Sequence, residues 1–294
     1  MSRTIGVLAT RTIRVGLVEN NQLAAPPLAY PEDGSDELDL RSMPAEELVA
    51  RVAELTAAVL DGGPVEAVGA GFPGIVRNGV IEESPNLLQL KGLHVRDDLR
   101  AALGARGIDV PVLVVNDADA LAAGIAATHG HLEKLIRVWY LGDGIGYGRY
   151  PRVEGVWEAG HSVVTLDPKE RFCGCGGIGH LEGIMGHRAM RLRFLDLEPE
   201  EVFAAAAEGD TRCGDFVRRW HRALAAATAT SVHLDGPGKF FLAGPNAHFV
   251  DVPKLSAILN DMVKMSPLQG SMFEVVTAGH DVALVGAAVS AGMK

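Results

Sequence analysis

The sequence predicts an α/β protein built of two lobes, and three observations carry that expectation. Strand-like and helix-like segments alternate along the whole chain. The alternation comes in two blocks, each opening with a β-hairpin pattern. The length of 294 residues suits two lobes, or one large α/β domain. At 48% hydrophobic and 22% charged, the composition is that of a globular chain and is too apolar for disorder. No low-complexity tract or linker separates the blocks. The boundary is therefore placed near Asp117, giving lobes of 1–117 and 118–294, with the last helix able to pack back on the first lobe.

Residues 4–18 predict two strands with a break near Thr10–Thr12, because Val7, Leu8, Ile13, Val15, Leu17 and Val18 supply β-branched and aliphatic side chains. The stretch 22–40, rich in Pro, Asp and Gly, reads as a loop with room for one strand. Residues 44–60 predict an amphipathic helix. Pro44 suits the first turn, Glu46 and Glu47 its positive end, and Leu48, Val52, Leu55 and Val59 form one apolar face. Asp61-Gly62-Gly63-Pro64 stops it. An apolar strand at 65–72 ends at Pro73-Gly74. A second at 112–115 closes on Asn116-Asp117, and a helix at 118–127 follows. That unit places Asn116 and Asp117 at a carboxyl strand end, where open α/β sheets bind ligands.

The second block starts with a strand at 135–141 and turns through glycines 142, 144, 146 and 148. A helix-rich stretch follows at 200–232, then a strand at 240–242 before Ala243-Gly244-Pro245. A helix at 253–264, a strand at 273–277 and a small-residue helix at 281–291 complete the chain.

Charge narrows the function classes. Lys and Arg number 27 against 37 Asp and Glu, a net charge of −10, which argues against general nucleic-acid binding. A small anionic ligand held by backbone N–H groups stays open. No apolar run approaches the ~20 residues of a membrane helix, and the first residues lack a signal-peptide layout. Three cysteines exclude a disulfide scaffold and make a reduced cytoplasm the default.

Residues 173–182 read Cys-Gly-Cys-Gly-Gly-Ile-Gly-His-Leu-Glu. Cys173, Cys175 and His180 sit in a glycine-rich loop that can turn tightly enough to aim several ligands at one point. Two thiolates and an imidazole are three ligands of a tetrahedral zinc. His161 is the best fourth ligand and His187 a weaker one, since it lies in a predicted helix beyond Glu182. Full coordination points to scaffolding by the metal. Cys213 reads as a buried or half-buried thiol.

The same residues carry a family resemblance. Cys173 to Glu182 resembles the C-x-C-G-x-x-G-C-x-E signature of the ROK family (repressors, open reading frames and sugar kinases). Trp157-Glu158-Ala159-Gly160-His161 resembles its G-E-x-G-H, and Asn116-Asp117-Ala118-Asp119-Ala120 its N-D-A-N-A. Gly71-Phe72-Pro73-Gly74-Ile75-Val76 and Ser84-Pro85-Asn86-Leu87 resemble its P-G-x-V and P-N-L segments, and Leu141-Gly142-Asp143-Gly144-Ile145-Gly146 its L-G-T-G-I-G. The matches run in family order over nearly the whole chain.

The resemblance implies a two-lobed, actin-like ATPase fold of the ribonuclease H type, with ATP in an interlobe cleft and a sugar between the lobes. It implies Asp117 as catalytic base, and Gly74, Asn86, Asn116, Glu158, His161 and Glu182 as sugar contacts. His161 doubles as a zinc ligand with Cys173, Cys175 and His180. It implies Thr10, Arg11, Thr12, Asp143, Gly144, Gly146 and Gly244 on the nucleotide side, magnesium as activator and a homodimer. With no helix-turn-helix before residue 5, the kinase branch is closer than the repressor branch. Asp117 also reads as a helix N-cap, a role compatible with catalysis, and Glu158 also reads as a plain surface residue.

Two departures stand out. His180 replaces the family's third cysteine, leaving two Cys and two His. Where the family has D-I-G-G-T-K between its first strands, this chain has Val7-Leu8-Ala9-Thr10-Arg11-Thr12. The acid that helps place Mg²⁺ and both phosphate-approaching glycines are absent. Arg11 can still grip phosphate through a charge-assisted fork, and Asp143 offers a carboxylate where the family has Thr. The expectation is an ATP-dependent kinase of a sugar, amino sugar or sugar-like cyclitol, acting on a primary hydroxyl by resemblance. The alternatives are a non-catalytic sugar-binding or regulatory protein with a decayed nucleotide site, and a kinase using another phosphoryl donor.

Overall fold

The computed structural model describes residues 3–31, 40–60, 62–153, 155, 158–277 and 279–292. Residues 32–39 of the Pro/Asp/Gly stretch, Asp61 of the helix stop and Trp157 of the Glu158 motif lie outside the described residues. Eight strands and three helices come first: β1 (Arg3–Ala9), β2 (Ile13–Glu19), β3 (Gln22–Leu23), β4 (Leu28–Tyr30), α1 (Ala45–Val59), β5 (Ala67–Phe72), β6 (Ile75–Arg77), β7 (Val80–Glu83), α2 (Val95–Gly104), β8 (Val112–Asn116) and α3 (Asp117–Thr128). The rest are β9 (Ile136–Leu141), β10 (Ile145–Tyr150), α4 (Leu181–Met185), α5 (His187–Arg193), α6 (Pro199–Glu208), α7 (Thr211–Asp235), β11 (Lys239–Ala243), α8 (Val252–Met262), β12 (Met272–Val275) and α9 (His280–Gly292).

The chain forms two compact units. One takes Met1–Ile136, Gly148–Val156 and Ala278–Lys294, the other Arg137–Tyr147 and Trp157–Thr277. The division follows Ile136, not Asp117, which moves the expected boundary. The reason is packing: α3 lies against α9 in the first unit. Helix α9 in turn packs on β1 and β5.

In the first unit the sheet runs β3-β2-β1-β5-β8, with β4 also paired to β2. β1 and β2 are antiparallel, closing the expected hairpin through Thr10–Thr12, while β1–β5 and β5–β8 are parallel. Parallel strands need both faces covered, and their residues are accordingly buried on both. The approach of α9 depends on missing side chains. A Cβ at Gly6 would overlap the Leu284 carbonyl oxygen, and one at Gly69 that of Ala287. Helix α1 starts as its Pro and Glu pair indicate, with Pro44 just outside at the N-cap position. Helix α2, buried through Val95, Leu99 and Leu103, packs beside it.

In the second unit the sheet order is β10-β9-β11-β12, with β11 and β12 parallel. The helix-rich stretch resolves into α6 and the 25-residue α7. Asp210 caps α7 through the Cys213 N–H, and Cys213 itself is buried. Trp139 and Trp220 are fully buried and keep partners for their N–H groups, the Thr228 hydroxyl at 3.1 Å and the Met185 carbonyl at 3.4 Å. His221 is buried next to Trp220. Its Nε2 accepts the Asp251 N–H at 3.0 Å, so its Nδ1 carries the proton and donates to the Val217 carbonyl at 2.8 Å. Among the described residues, no helix is long and apolar enough to cross a membrane.

Two outcomes check this packing. Gly69→Ala forces a methyl group against the α9 backbone and costs about 1–3 kcal/mol, the range for overpacking; a parental urea midpoint contradicts it. Burial pushes the His221 imidazole below its ordinary value. The unfolded chain therefore takes up the proton first as pH falls. The stability from neutral His221 is full above roughly pH 6.5 and is lost as pH drops through the folded value. The urea midpoint should fall between about pH 7.5 and pH 5, and His221→Gln should flatten that slope.

Candidate active site

In the first unit, the strand-to-helix corner at β8–α3 organises the polar groups. Asn116 ends β8 and caps α3, its Oδ1 accepting from the Ala118 and Asp119 N–H groups at 2.8 and 3.4 Å. Its Nδ2 donates to the Gly74 carbonyl at 2.8 Å, tying the corner to the turn after β5. The capping role therefore falls to Asn116. Asp117 is the first helical residue, half-buried, with Oδ1 3.0 Å from the Ala118 N–H. A helix N-terminus favours a carboxylate there.

Ser84 braces the same turn. It is fully buried, donates its hydroxyl to the Pro73 carbonyl at 2.9 Å, and accepts the Leu87 N–H at 3.3 Å. Asn86 stands exposed between these braced residues. Thr10, Arg11 and Thr12 form the β1–β2 turn, closed by the Thr10 N–H on the Thr12 carbonyl at 3.2 Å, with Arg11 exposed. The turn offers one guanidinium, two hydroxyls and no carboxylate, a donor set that does not fit a magnesium ion.

In the second unit, His161, Cys173, Cys175 and His180 converge, each offering a ligand atom within 4.8 Å of the others. Cys173 Sγ lies 3.3 Å from His161 Nδ1 and 3.4 Å from Cys175 Sγ, and Cys175 Sγ lies 3.2 Å from His180 Nδ1. Ligand edges around a tetrahedral zinc, with Zn–S near 2.3 Å and Zn–N near 2.0 Å, are roughly 3.5–3.8 Å. Two thiols and two imidazoles this close fit that ion. His187 does not join them; its Nδ1 meets Asn246 Oδ1 at 3.3 Å. Burial pushes the Cys173 thiol up to about 12; the Cys175 backbone N–H pulls it down, while the Cys175 side chain and the Glu182 charge add to the rise. A divalent cation reverses that balance by displacing the proton.

Glu182 sits in the first turn of α4. Its Oε1 is 3.4 Å from Cys173 Sγ and its Oε2 accepts the Ile145 N–H at 3.2 Å. Glu158, 40% exposed, lies 3.9 Å from His161 Nε2, so His161 turns one nitrogen to the cluster and the other to a carboxylate. Burial pushes the Glu158 carboxyl above its ordinary value; His161 pulls it down and Glu182 pushes it up.

The 142–145 turn adjoins this carboxylate. The Gly142 N–H bonds the Gly144 carbonyl at 3.0 Å, and the Gly142 carbonyl accepts from the His187 N–H at 2.9 Å and the Asn246 side chain at 3.3 Å. Asp143 is exposed at the tip, and Gly144 and Gly146 are half-buried. Gly244 has φ +96°, and a Cβ there would press on the Leu141 backbone, so this turn requires glycine. Ser84, quoted above only as part of a motif, His187, considered above only as a metal ligand, and Asn246 are bracing residues.

The mixed α/β fold is that of solved ROK structures, the two-lobed, actin-like ATPase class. The ROK family model matches residues 38–292, and the chain belongs to that family. It is 30% identical over 266 residues to a glucokinase from Pyrobaculum calidifontis, covering 83% of this chain and 84% of that one. A Thermotoga maritima glucokinase is 29% identical over 230 residues, 68% and 70% of the two chains. Among solved structures, a ROK hexokinase from Thermus thermophilus shares the fold with a TM-score of 0.75 at 24% identity, over 99% and 98% of the chains. A ROK family glucokinase from Streptomyces griseus, in complex with glucose and AMPPNP, gives 0.69 at 23%, over 99% of each.

The purified protein should carry about one zinc per chain by mass spectrometry, and Cys175→Ala or His161→Ala should carry far less. Equal zinc in parent and variants contradicts the four-ligand site.

Proposed function

We propose that this protein is a kinase that transfers the γ-phosphoryl group of ATP to a hydroxyl of a hexose or related sugar, with Asp117 as general base. The observation that carries this reading is the gathering of Glu158, His161 and Glu182 around the Cys/His cluster, in a chain whose relatives are named glucokinases. Ionised carboxylates are acceptors only, so Glu158 and Glu182 suit the O–H donors of a polyhydroxylated ligand. His161 Nε2 adds a third polar contact. When bound, zinc supplies a cross-link between residues 161, 173, 175 and 180.

In the reaction Asp117 takes the proton of the acceptor hydroxyl, the hydroxyl oxygen bonds to the γ-phosphorus, and the bond to the ADP oxygen breaks. Asn116 holds the corner that carries Asp117. Backbone groups of residues 143–146, the Gly244 turn and Arg11 are the phosphate and nucleotide contacts, with Arg11 as the charge in a turn that lacks the family's acid and glycines. The same reading makes the protein a homodimer of the reduced cytoplasm, in keeping with a sequence of only three cysteines.

A second reading, a sugar-binding or regulatory protein without turnover, is favoured by that altered turn. An ADP-release assay over hexoses, amino sugars and cyclitols separates the two. Turnover is expected with at least one acceptor, and Asp117→Asn should lower kcat by about 10²–10⁴-fold with little change in sugar KM. No turnover with any acceptor, or an Asp117→Asn variant as fast as the parent, sinks the kinase reading.

A further inference from the structure

A buried charge cluster lies beside the Cys/His loop and takes no part in the chemistry above. Glu170, whose side chain is only 5% exposed, precedes Cys173 by one turn of loop. The guanidinium of Arg193, at the end of α5, grips it with two bonds, Nη1 to Oε1 at 3.1 Å and Nη2 to Oε2 at 2.5 Å. Arg219 of α7 adds Nη1 to Oε1 at 2.6 Å.

Arg193 does more than neutralise Glu170. Its Nη2 also donates to the Gly183 carbonyl at 3.2 Å, one residue beyond Glu182. Its guanidinium lies 4.3 Å from the ring centre of Phe172, the neighbour of Cys173, and 5.5 Å from that of Phe216. The Glu170 carbonyl accepts the Gly179 N–H at 2.8 Å, closing the loop that holds both cysteines just before His180. One planar cation thus touches the entry of the loop, the residue before its first cysteine, and the helix turn that carries Glu182.

Simple stabilisation explains this poorly. Desolvating an ion pair offsets most of its Coulomb gain, and apolar side chains serve a core as well. What the cluster offers is direction. Arg presents a rigid fork and a stacking face at once, which Lys cannot. We propose that Arg193, acting through Glu170 and the Gly183 carbonyl, is the positioning residue that holds the metal loop and Glu182 in register. Its effect on sugar rests on the kinase reading; its effect on metal does not.

The test uses the zinc-loaded protein with Arg193→Lys, which keeps the charge but loses the fork, and Glu170→Gln, which keeps the shape but loses the charge. Val232→Ala, in the core of the same unit and away from the loop, controls for lost stability. The readouts are the rate of zinc transfer to a chromogenic chelator, without sugar or nucleotide, and the sugar KM and kcat. Both variants should release zinc about tenfold faster and raise sugar KM about tenfold, with kcat at saturating sugar within about threefold of the parent. The control should release zinc at the parental rate. Release from both variants at the control's rate overturns the proposal, as does a parent that takes up no zinc. If Arg193→Lys does not fold, Arg219→Ala, which removes the half-exposed partner, decides in its place: faster release supports the proposal and a parental rate overturns it. Faster release from variants of a parent that phosphorylates no sugar leaves the positioning role standing and fails the kinase reading alone.

Discussion

One carboxylate, Glu182, joins the two parts of the second unit on which the proposed chemistry depends. One of its oxygens meets Cys173 of the Cys/His loop and the other meets the Ile145 amide at the start of β10. The glycine turn at 142–144 is fixed against the same helix pair through the His187 N–H. A displaced loop therefore displaces the carboxylate, and a displaced carboxylate gives up its bond to the Ile145 amide. Glycine at 144 is part of this arrangement, because a Cβ there would collide with the Glu182 carboxylate.

The first unit solves a different problem with small residues. Helices α3 and α9 approach closely because Gly124 faces the Val282 carbonyl and Gly286 faces that of Ala120. That packing brings the C-terminal helix onto a sheet formed by the N-terminal strands, and it steadies the helix whose first turn carries Asp117. The sequence pattern showed a small-residue helix at 281–291 able to pack back on the first lobe, but not that α3 would be its partner. A boundary at Asp117 followed from the strand, polar pair and helix unit, whereas α3 packs with α9 and stays in the first unit.

The Cys/His cluster was legible because its side chains are local. Cys173, Cys175 and His180 fall in one glycine-rich stretch, and only His161 comes from outside it. The cap at 116–117 was half legible: two adjacent polar residues both suit a cap, and only the Asn116 bonds show which one serves. The Glu170 cluster was illegible, since its arginines lie 23 and 49 residues away and each alone resembles a surface residue. Helix α2 left a signal that went unread, the buried series Val95, Leu99 and Leu103 at helical spacing. The net charge of −10 excludes broad polyanion binding. The one polyanion proposed, a nucleotide, would meet the turn in which this chain departs most from its family.

The central claim is that the metal loop presents Glu182 to a sugar. Calorimetric titration of glucose into zinc-loaded and chelator-stripped protein, both shown to be folded by circular dichroism, tests it most directly. The account predicts that stripping the metal weakens sugar binding by about tenfold or more, the scale on which groups that orient a site act. Equal affinity with and without zinc would contradict it.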